Sequence, residues 1–208
     1  MNIGIIGSGN IGGTLTKLFA RHGHEVAVAN SRGPDTLAGL VEEAGEGARA
    51  ATVEDAAGFG EVVVVAVPLR AYLDLPAERL AGRIVVDANN YYPGRDGSIA
   101  ELDDDSTTSS ELLAAHLPDS EVVKAFNTMN YRLLASEGRP DAPRDERLAI
   151  FLAGDDEDAK RTVAGLIDEL GFAPVDTGGL ADGGRRQQPG APVYNAPMKA
   201  PDAKAALQ

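Results

Sequence analysis

Short apolar runs alternate along this chain with longer segments that have one apolar face. Met1–Ile6 is apolar and leads into a glycine-rich turn. Ile11–Arg21 then places Leu15, Leu18 and Phe19 at helical spacing, and Gly23 supplies a helix stop. Glu25–Ala29 reads as a second strand. Pro34 stands at a first helical position, ahead of a buried stripe of Leu37, Leu40 and Val41. Ala48–Thr52 reads as a short third strand and Val53–Ala57 as a short helix. Glu61–Val67 (EVVVVAV) is apolar throughout, as expected of a strand covered on both faces in a parallel sheet, and Pro68 ends it. Tyr72–Leu80 is weakly helical. Arg83–Asp87 reads as a fifth strand, and Asp87–Asn90 as a polar loop.

The second half continues the alternation. Pro93–Ser106, rich in Gly, Asp and Ser, reads as an exposed loop. Ser109–His116 suits a helix, Glu121–Phe126 a sixth strand, and Gly138–Arg147 a loop. Leu148–Ala153 reads as a seventh strand. Asp156–Leu170 has a clear stripe of Ala159, Val163, Leu166, Ile167 and Leu170, and Phe172–Asp176 reads as an eighth strand. The tail from Gly178 is Gly/Pro-rich and becomes helix-compatible over Asp202–Leu207. This order predicts an α/β fold: a Rossmann-type, doubly wound, mostly parallel sheet with a small C-terminal extension. The expected division is a nucleotide-binding part over 1–126 and a C-terminal part over 127–208. The second part continues the sheet and walls a cleft within one compact unit.

Composition narrows the function. Of 208 residues, 43% are hydrophobic and 25% charged, a globular balance. The net charge of −13 disfavours nucleic acid and anionic membranes as partners, although a local pocket can oppose that field. With no cysteine, disulfides, thiolate catalysis and cysteine-held metals are excluded. His22, His24 and His116 have no metal-ligand spacing, so no metal site is expected. No signal-peptide pattern and no membrane-spanning apolar run is visible, so a soluble cytoplasmic protein is expected.

Gly7-Ser8-Gly9-Asn10-Ile11-Gly12 matches GxGxxG. Alone the pattern is weak, but here it follows a strand and opens a helix, with a second strand about a dozen residues on. Gly7 allows the tight turn, Gly9 lets backbone approach a pyrophosphate, and Gly12 lets helix and strand pack closely. Unpaired N–H groups and the helix dipole then favour the anion. The bland reading is a glycine turn with no ligand.

An NAD-type site ends its second strand in Asp or Glu, which binds the ribose 2′-hydroxyl. Here that strand ends Ala29-Asn30-Ser31-Arg32. Asn30 is neutral, Ser31 offers a hydroxyl, and Arg32 offers a planar cation suited to phosphate oxygens. The expected coenzyme is therefore NADP(H). The alternative makes Ser31 a helix cap and Arg32 a solvated charge.

Ligands of open parallel sheets lie beyond the carboxyl ends of the strands. Ala66, Val67 and Pro68 follow the fourth strand and are small enough to border a ribose; the alternative is a plain strand end. Asn89, Asn90, Tyr91 and Tyr92 follow the fifth strand, and Asn127 to Tyr131 follow the sixth. Asn89 and Asn127 are the candidates to orient a carboxamide; the alternative is ordinary turn chemistry. No catalytic residue stands out: there is no Ser/His/Asp set, no Tyr-x-x-x-Lys pair and no evident catalytic lysine. Asp103–Asp105 reads as a solvated run, and the histidines read as structural. Hydride transfer between a nicotinamide and a flavin-like ring needs mainly stacking geometry and excluded water, so it tolerates this absence.

The blocks MNIGIIGSGNIGGTLTKLFARHGHEVAVANSRGP, VVVVAVP, VVDANNYYP, VKAFNTMN and LAIFLAGDDEDAKRTVAGLIDELGFAPVDTGGL resemble the NADPH-dependent coenzyme F420 reductases. The resemblance covers most of the chain. It implies NADP on the Gly7–Gly12 loop, with Ser31 and Arg32 on the 2′-phosphate. It also implies hydride exchange between nicotinamide C4 and deazaflavin C5, and a homodimer. The expected function is hydride transfer between NADPH and a small-molecule redox acceptor, coenzyme F420 or a flavin. The alternatives are an NADPH-dependent reductase of a small carbonyl or imine, and a non-catalytic NADPH-binding sensor.

Overall fold

The computed structural model describes residues 1–207. In chain order its elements are β1 (Asn2–Ile6), α1 (Asn10–Arg21), β2 (Glu25–Ala29), α2 (Ala38–Ala44), β3 (Ala48–Ala50), α3 (Val53–Phe59), β4 (Val62–Val65), α4 (Ala77–Leu80) and β5 (Ile84–Asp87). There follow α5 (Pro93–Asp96), α6 (Ala100–Asp103), α7 (Ser109–His116), β6 (Glu121–Ala125), α8 (Tyr131–Ser136), β7 (Ala149–Gly154), α9 (Glu157–Glu169), β8 (Ala173–Asp176), α10 (Asp182–Arg185) and α11 (Ala200–Ala205).

The eight strands form one sheet in the order β3-β2-β1-β4-β5-β6-β7-β8. From β3 to β6 every pairing is parallel. β7 runs antiparallel to β6, and β8 parallel to β7. Ile6 pairs with Ala29 on one side and Val65 on the other, so β1, β2 and β4 end level at one edge. The strand order reverses between β1 and β4, which opens a crevice at those carboxyl ends. The fold is thus a Rossmann-type, mostly parallel α/β sheet with additional helices.

Two cores follow from strand alternation. Ile3, Ile5, Val62 and Val64 point to the face covered by Leu15 and Phe19 of α1, Leu134 of α8, and Val163, Leu166 and Ile167 of α9. Ile6, Val63, Val65 and Val85 point to the other face, under Ala56 and Ala57 of α3, Leu80 of α4 and Leu113 of α7. β4 therefore needs valine on both sides, which accounts for its unbroken apolar run. A third, smaller cluster joins Phe151, Val175, Val193 and Ala203, where α11 closes over β7 and β8.

Local chemistry sets the helix ends. Thr108 and Glu111 form a reciprocal capping box on α7. Asp156 caps α9 by accepting from Ala159 N at 2.7 Å. Thr52, read as strand, instead caps α3 by accepting from Asp55 N.

Three expectations change. Pro93–Ser106 is not an open loop: it holds α5 and α6, fastened by Asp96, which accepts from Tyr92 N. Tyr72–Leu80 is not one helix, because Leu75 and Pro76 separate a 3₁₀ turn at Leu69–Asp74 from α4. Tyr131–Ser136, read without structure, is α8, with Asn130 as its cap. No described helix is long and apolar enough to cross a membrane.

Candidate coenzyme and acceptor site

Gly7 leaves β1 at φ +112°, and its N–H donates to Ala29 O at 2.8 Å. A Cβ there would lie 2.2 Å from Ala66 O, and one on Gly12 would lie 1.8 Å from Gly7 O. Both positions admit only glycine, because β1, β4 and α1 meet there backbone to backbone. Gly9 is different: a Cβ on it would meet nothing within 4 Å. Gly9 is also the α1 N-cap and has no side-chain capping bond. The first turn of α1 therefore presents backbone N–H groups, backed by its dipole, to open space.

The end of β2 is fastened to this loop. Asn30 Nδ2 donates to Ser8 Oγ and to Thr36 Oγ1, each at 3.0 Å, and Asn30 Oδ1 accepts from Arg32 N at 2.9 Å. Asn30 thus shapes the turn rather than offering a free amide. Ser31 and Arg32 are exposed, and the Arg32 guanidinium makes no ion pair among the described residues.

Two adjoining cavities lie along this edge. The first, about 370 Å³, is lined by Gly7, Ser8, Gly9, Asn30, Ser31, Arg32, Ala66, Val67 and Pro68. Val53, Ala71 and Leu75 add an apolar wall that sequence reading missed. The second, about 410 Å³, shares Gly9, Ala66, Val67 and Pro68 and adds Asn10, Ile11, Asn89 and Asn127. Every candidate site residue except Gly12 borders one cavity or both; Gly12 acts behind the loop, in packing.

A buried polar relay supports the second cavity. Asp87 and Lys124 are both fully buried and pair at 3.3 Å. Asp87 Oδ2 also accepts from Ser110 Oγ at 2.6 Å, and Asp87 Oδ1 from Asn89 N at 2.9 Å. Asn89 Oδ1 in turn accepts from Val67 N at 2.8 Å. Lys124 further donates to Asn89 O at 3.3 Å. The sequence pattern alone shows a loop and a plain strand here. The relay's signal is a lysine inside the apolar run VVKAF, directly opposite Asp87 in the β5–β6 register.

Asn127 donates to Asn90 Oδ1 at 3.1 Å and to Gln187 O at 2.7 Å. Its Oδ1 and the Nδ2 of Asn89 are buried with no partner. Phe126, just before it, is held at φ +65°, a conformation that costs a bulky residue roughly 1–3 kcal/mol. Strain of this kind persists where a turn must aim its next residue.

Tyrosines and an arginine close the outer wall. Tyr92, Tyr131, Tyr194 and Arg95 all line the second cavity. The Tyr92 and Tyr194 hydroxyls are hydrogen-bonded to each other. Arg95 lies 5.0 Å from the Tyr92 ring centroid and donates to Asn90 O at 2.6 Å. Burial, reinforced by the bond to Tyr92, pushes the Tyr194 phenol well above the usual tyrosine range. Tyr91 turns away and donates to Asp103 Oδ1 at 2.6 Å. The histidines have structural partners: His22 with Leu18 O, His24 with Glu169, and His116 with Leu75 O. No metal-binding cluster occurs among the described residues.

Residues 2–91, from β1 through the loop after β5, match a family model described as NADP oxidoreductase coenzyme F420-dependent. A hypothetical protein from Sinorhizobium meliloti superposes with a TM-score of 0.82 at 36% identity, over 96% of this chain and 95% of the other. A candidate F420-dependent NADP-reductase from Arthrobacter sp. FB24 gives a TM-score of 0.74 at 29% identity, over 88% of each chain. The metalloreductase STEAP3 of Rattus norvegicus is 34% identical over 181 residues, which is 86% of this chain and 34% of that protein. The chain thus spans about a third of the length of the curated relatives it matches. By the matched segment and the shared fold, the chain is similar at family level to the coenzyme F420-dependent NADP oxidoreductases.

Proposed function

We propose that this protein transfers hydride between NADPH and a deazaflavin or flavin-type acceptor, with coenzyme F420 the leading candidate. The observation that carries the reading is the pair of adjoining cavities over the glycine loop. One borders the phosphate-binding elements, and the other offers amide and aromatic walls to a nicotinamide and a second ring.

The residues fit NADP. The open space at Gly9 and the uncapped first turn of α1 suit a pyrophosphate. Ser31 and the unpaired Arg32 suit a 2′-phosphate, and the wall of Val53, Ala71 and Leu75 suits a purine. Ala66, Val67 and Pro68 form the shared floor, and Asn89 and Asn127 carry the two orphaned amide atoms beside the carboxamide end. When bound, NADPH supplies the hydride; the protein binds, orients and excludes water. On this reading residues 1–126 hold the coenzyme and 127–208 wall the acceptor.

A second reading, reduction of a small carbonyl or imine, gains from the Tyr92–Tyr194 pair, which brings phenolic O–H groups to the cavity. An acceptor screen separates the two. Purified protein and NADPH are offered F420, FMN, FAD and a panel of carbonyls and imines, and loss of reduced-nicotinamide absorbance is followed. F420 or flavin turnover is the expected result. Carbonyl turnover alone selects the second reading. Tight NADPH binding with no turnover selects a sensor.

A further inference from the structure

The Tyr92–Tyr194 pair is a polar feature of the second cavity that coenzyme binding leaves unused. The two residues lie 102 positions apart in the chain, so only the fold brings them together. Two hydroxyls bonded to each other hold two protons, of which one lies between them. The other points out of the pair and is free to donate. Arg95 also lines this cavity; its guanidinium lies beside the Tyr92 ring and is paired with the Asp96 carboxylate at 2.8 Å, so it fixes the Tyr92 side of the pair rather than adding a free cation. In a chain of net charge −13, the spare phenolic donor of this pair is a local site for negative charge.

Hydride transfer creates such a charge. Hydride leaves C4 of the reduced nicotinamide with both electrons of its C–H bond and forms a new bond at the central ring of the acceptor. The nicotinamide becomes cationic, and the acceptor keeps one negative charge. In a flavin or deazaflavin that charge lies on the N1–C2=O edge of the dione ring.

We infer that the Tyr92–Tyr194 pair, braced by the Arg95–Asp96 ion pair, binds the dione edge of the acceptor and stabilises the negative charge that hydride arrival leaves there. This rests on the proposed hydride transfer to a flavin-type ring. The phenols act as hydrogen-bond donors, and their protons stay on oxygen; the acceptor anion takes its proton from solvent. The raised affinity of Tyr194 for its proton suits that role, because the phenol remains a donor across the whole working pH range. The arrangement favours acceptors whose reduced form is a conjugated anion over those that need a proton in the same step.

The test uses the full chain and the variants Tyr92→Phe, Tyr194→Phe and, as a neighbouring control, Tyr91→Phe. Affinity for FMN and for F420 is measured anaerobically in two unreactive pairings: oxidised acceptor with NADP⁺, and reduced acceptor with NADPH. Hydride-transfer rates are measured in parallel. The wild-type protein is expected to prefer reduced acceptor. Tyr194→Phe and Tyr92→Phe should each cut that preference at least fivefold and lower kcat tenfold or more, with NADPH affinity within twofold of wild type. Tyr91→Phe should change none of these. Active phenylalanine variants with an unchanged redox preference overturn this inference alone. A wild-type protein that binds NADPH but reduces neither FMN nor F420 overturns the proposed function and this inference with it.

Discussion

The two cavities along the sheet edge are built on opposite principles. The polar side of the first is made largely of main chain: a glycine turn, an uncapped helix start and a turn held by Asn30, all within the first 36 residues, facing an apolar wall of Val53, Ala71 and Leu75. The second is made of side chains drawn from Asn89, Tyr92, Asn127 and Tyr194, held by a buried ion pair and a strained turn at Phe126. A backbone site is rigid because its shape is the fold itself. A side-chain site is only as well positioned as the groups that support it, and its chemistry changes with single substitutions.

The largest effect should come from the support of the second cavity. Asp87→Ala leaves Lys124 charged and buried without its carboxylate, and should lower unfolding free energy by roughly 3–5 kcal/mol in a urea titration. A loss below about 1 kcal/mol would mean that the pair is not what holds Asn89 in place.

The backbone cavity predicts a split between neighbouring glycines. Gly12→Ala forces a Cβ to 1.8 Å from Gly7 O and should cost up to about 3 kcal/mol of stability. Gly9→Ala meets no atom and should leave stability within about 0.5 kcal/mol while weakening NADPH binding at least tenfold. Thermal melts with and without NADPH read both quantities. Equal destabilisation by the two changes would contradict a ligand role for Gly9.

Arg32→Ala sharpens the comparison at the junction of main chain and side chain. It should weaken NADPH by about 2 kcal/mol, roughly thirtyfold in Kd, the scale of a charge-assisted hydrogen bond. NADH affinity should stay within twofold. Parallel loss for both coenzymes would remove Arg32 from the 2′-phosphate.

The smallest effect lies far from both cavities. The Arg144 guanidinium donates to Asp168 and holds its carboxyl below the usual aspartate range. A carboxylate lowered in the folded state stabilises above its unfolded pKa and loses that contribution as pH falls through its folded value. Arg144→Ala should therefore lower the melting temperature slightly at neutral pH, with the gap starting to narrow near the ordinary aspartate value, about pH 4, and closing only as pH falls through the lower folded value of Asp168. A gap that persists in acid would assign the contact to packing alone.

The same contrast explains what the chain disclosed before folding. β1, β2, β4, α9 and the glycine loop rest on contacts between near neighbours or on plain periodicity, and they appear within a residue or two of where the pattern puts them. Asn30 was legible as a position but not as a hinge between two loops, because its partners Ser8 and Thr36 come from different elements. Lys124 and Asp87 became a pair only through the β5–β6 register. Tyr194 sits in a Gly/Pro-rich stretch with no periodicity at all, so nothing local pointed it toward Tyr92. Pro93–Ser106 misled because its turn-forming composition also suits single-turn helices fixed by Asp96 and Asp103.

The reversal at β7 has a consequence for how such a protein diversifies. Although β7 and β8 run against the first six strands, β8 ends at Asp176, level with Leu152 and so with Ala125 at the end of β6. From there the chain passes through α10 and the contact of Gln187 O with Asn127 before Tyr194 arrives at the opening. Insertions, deletions or exchanges within that stretch would re-tailor the outer rim while leaving the glycine loop and the Asn30 turn intact. Under the proposed function, one half of the molecule is thereby free to keep its electron donor while the other is rebuilt for a new recipient.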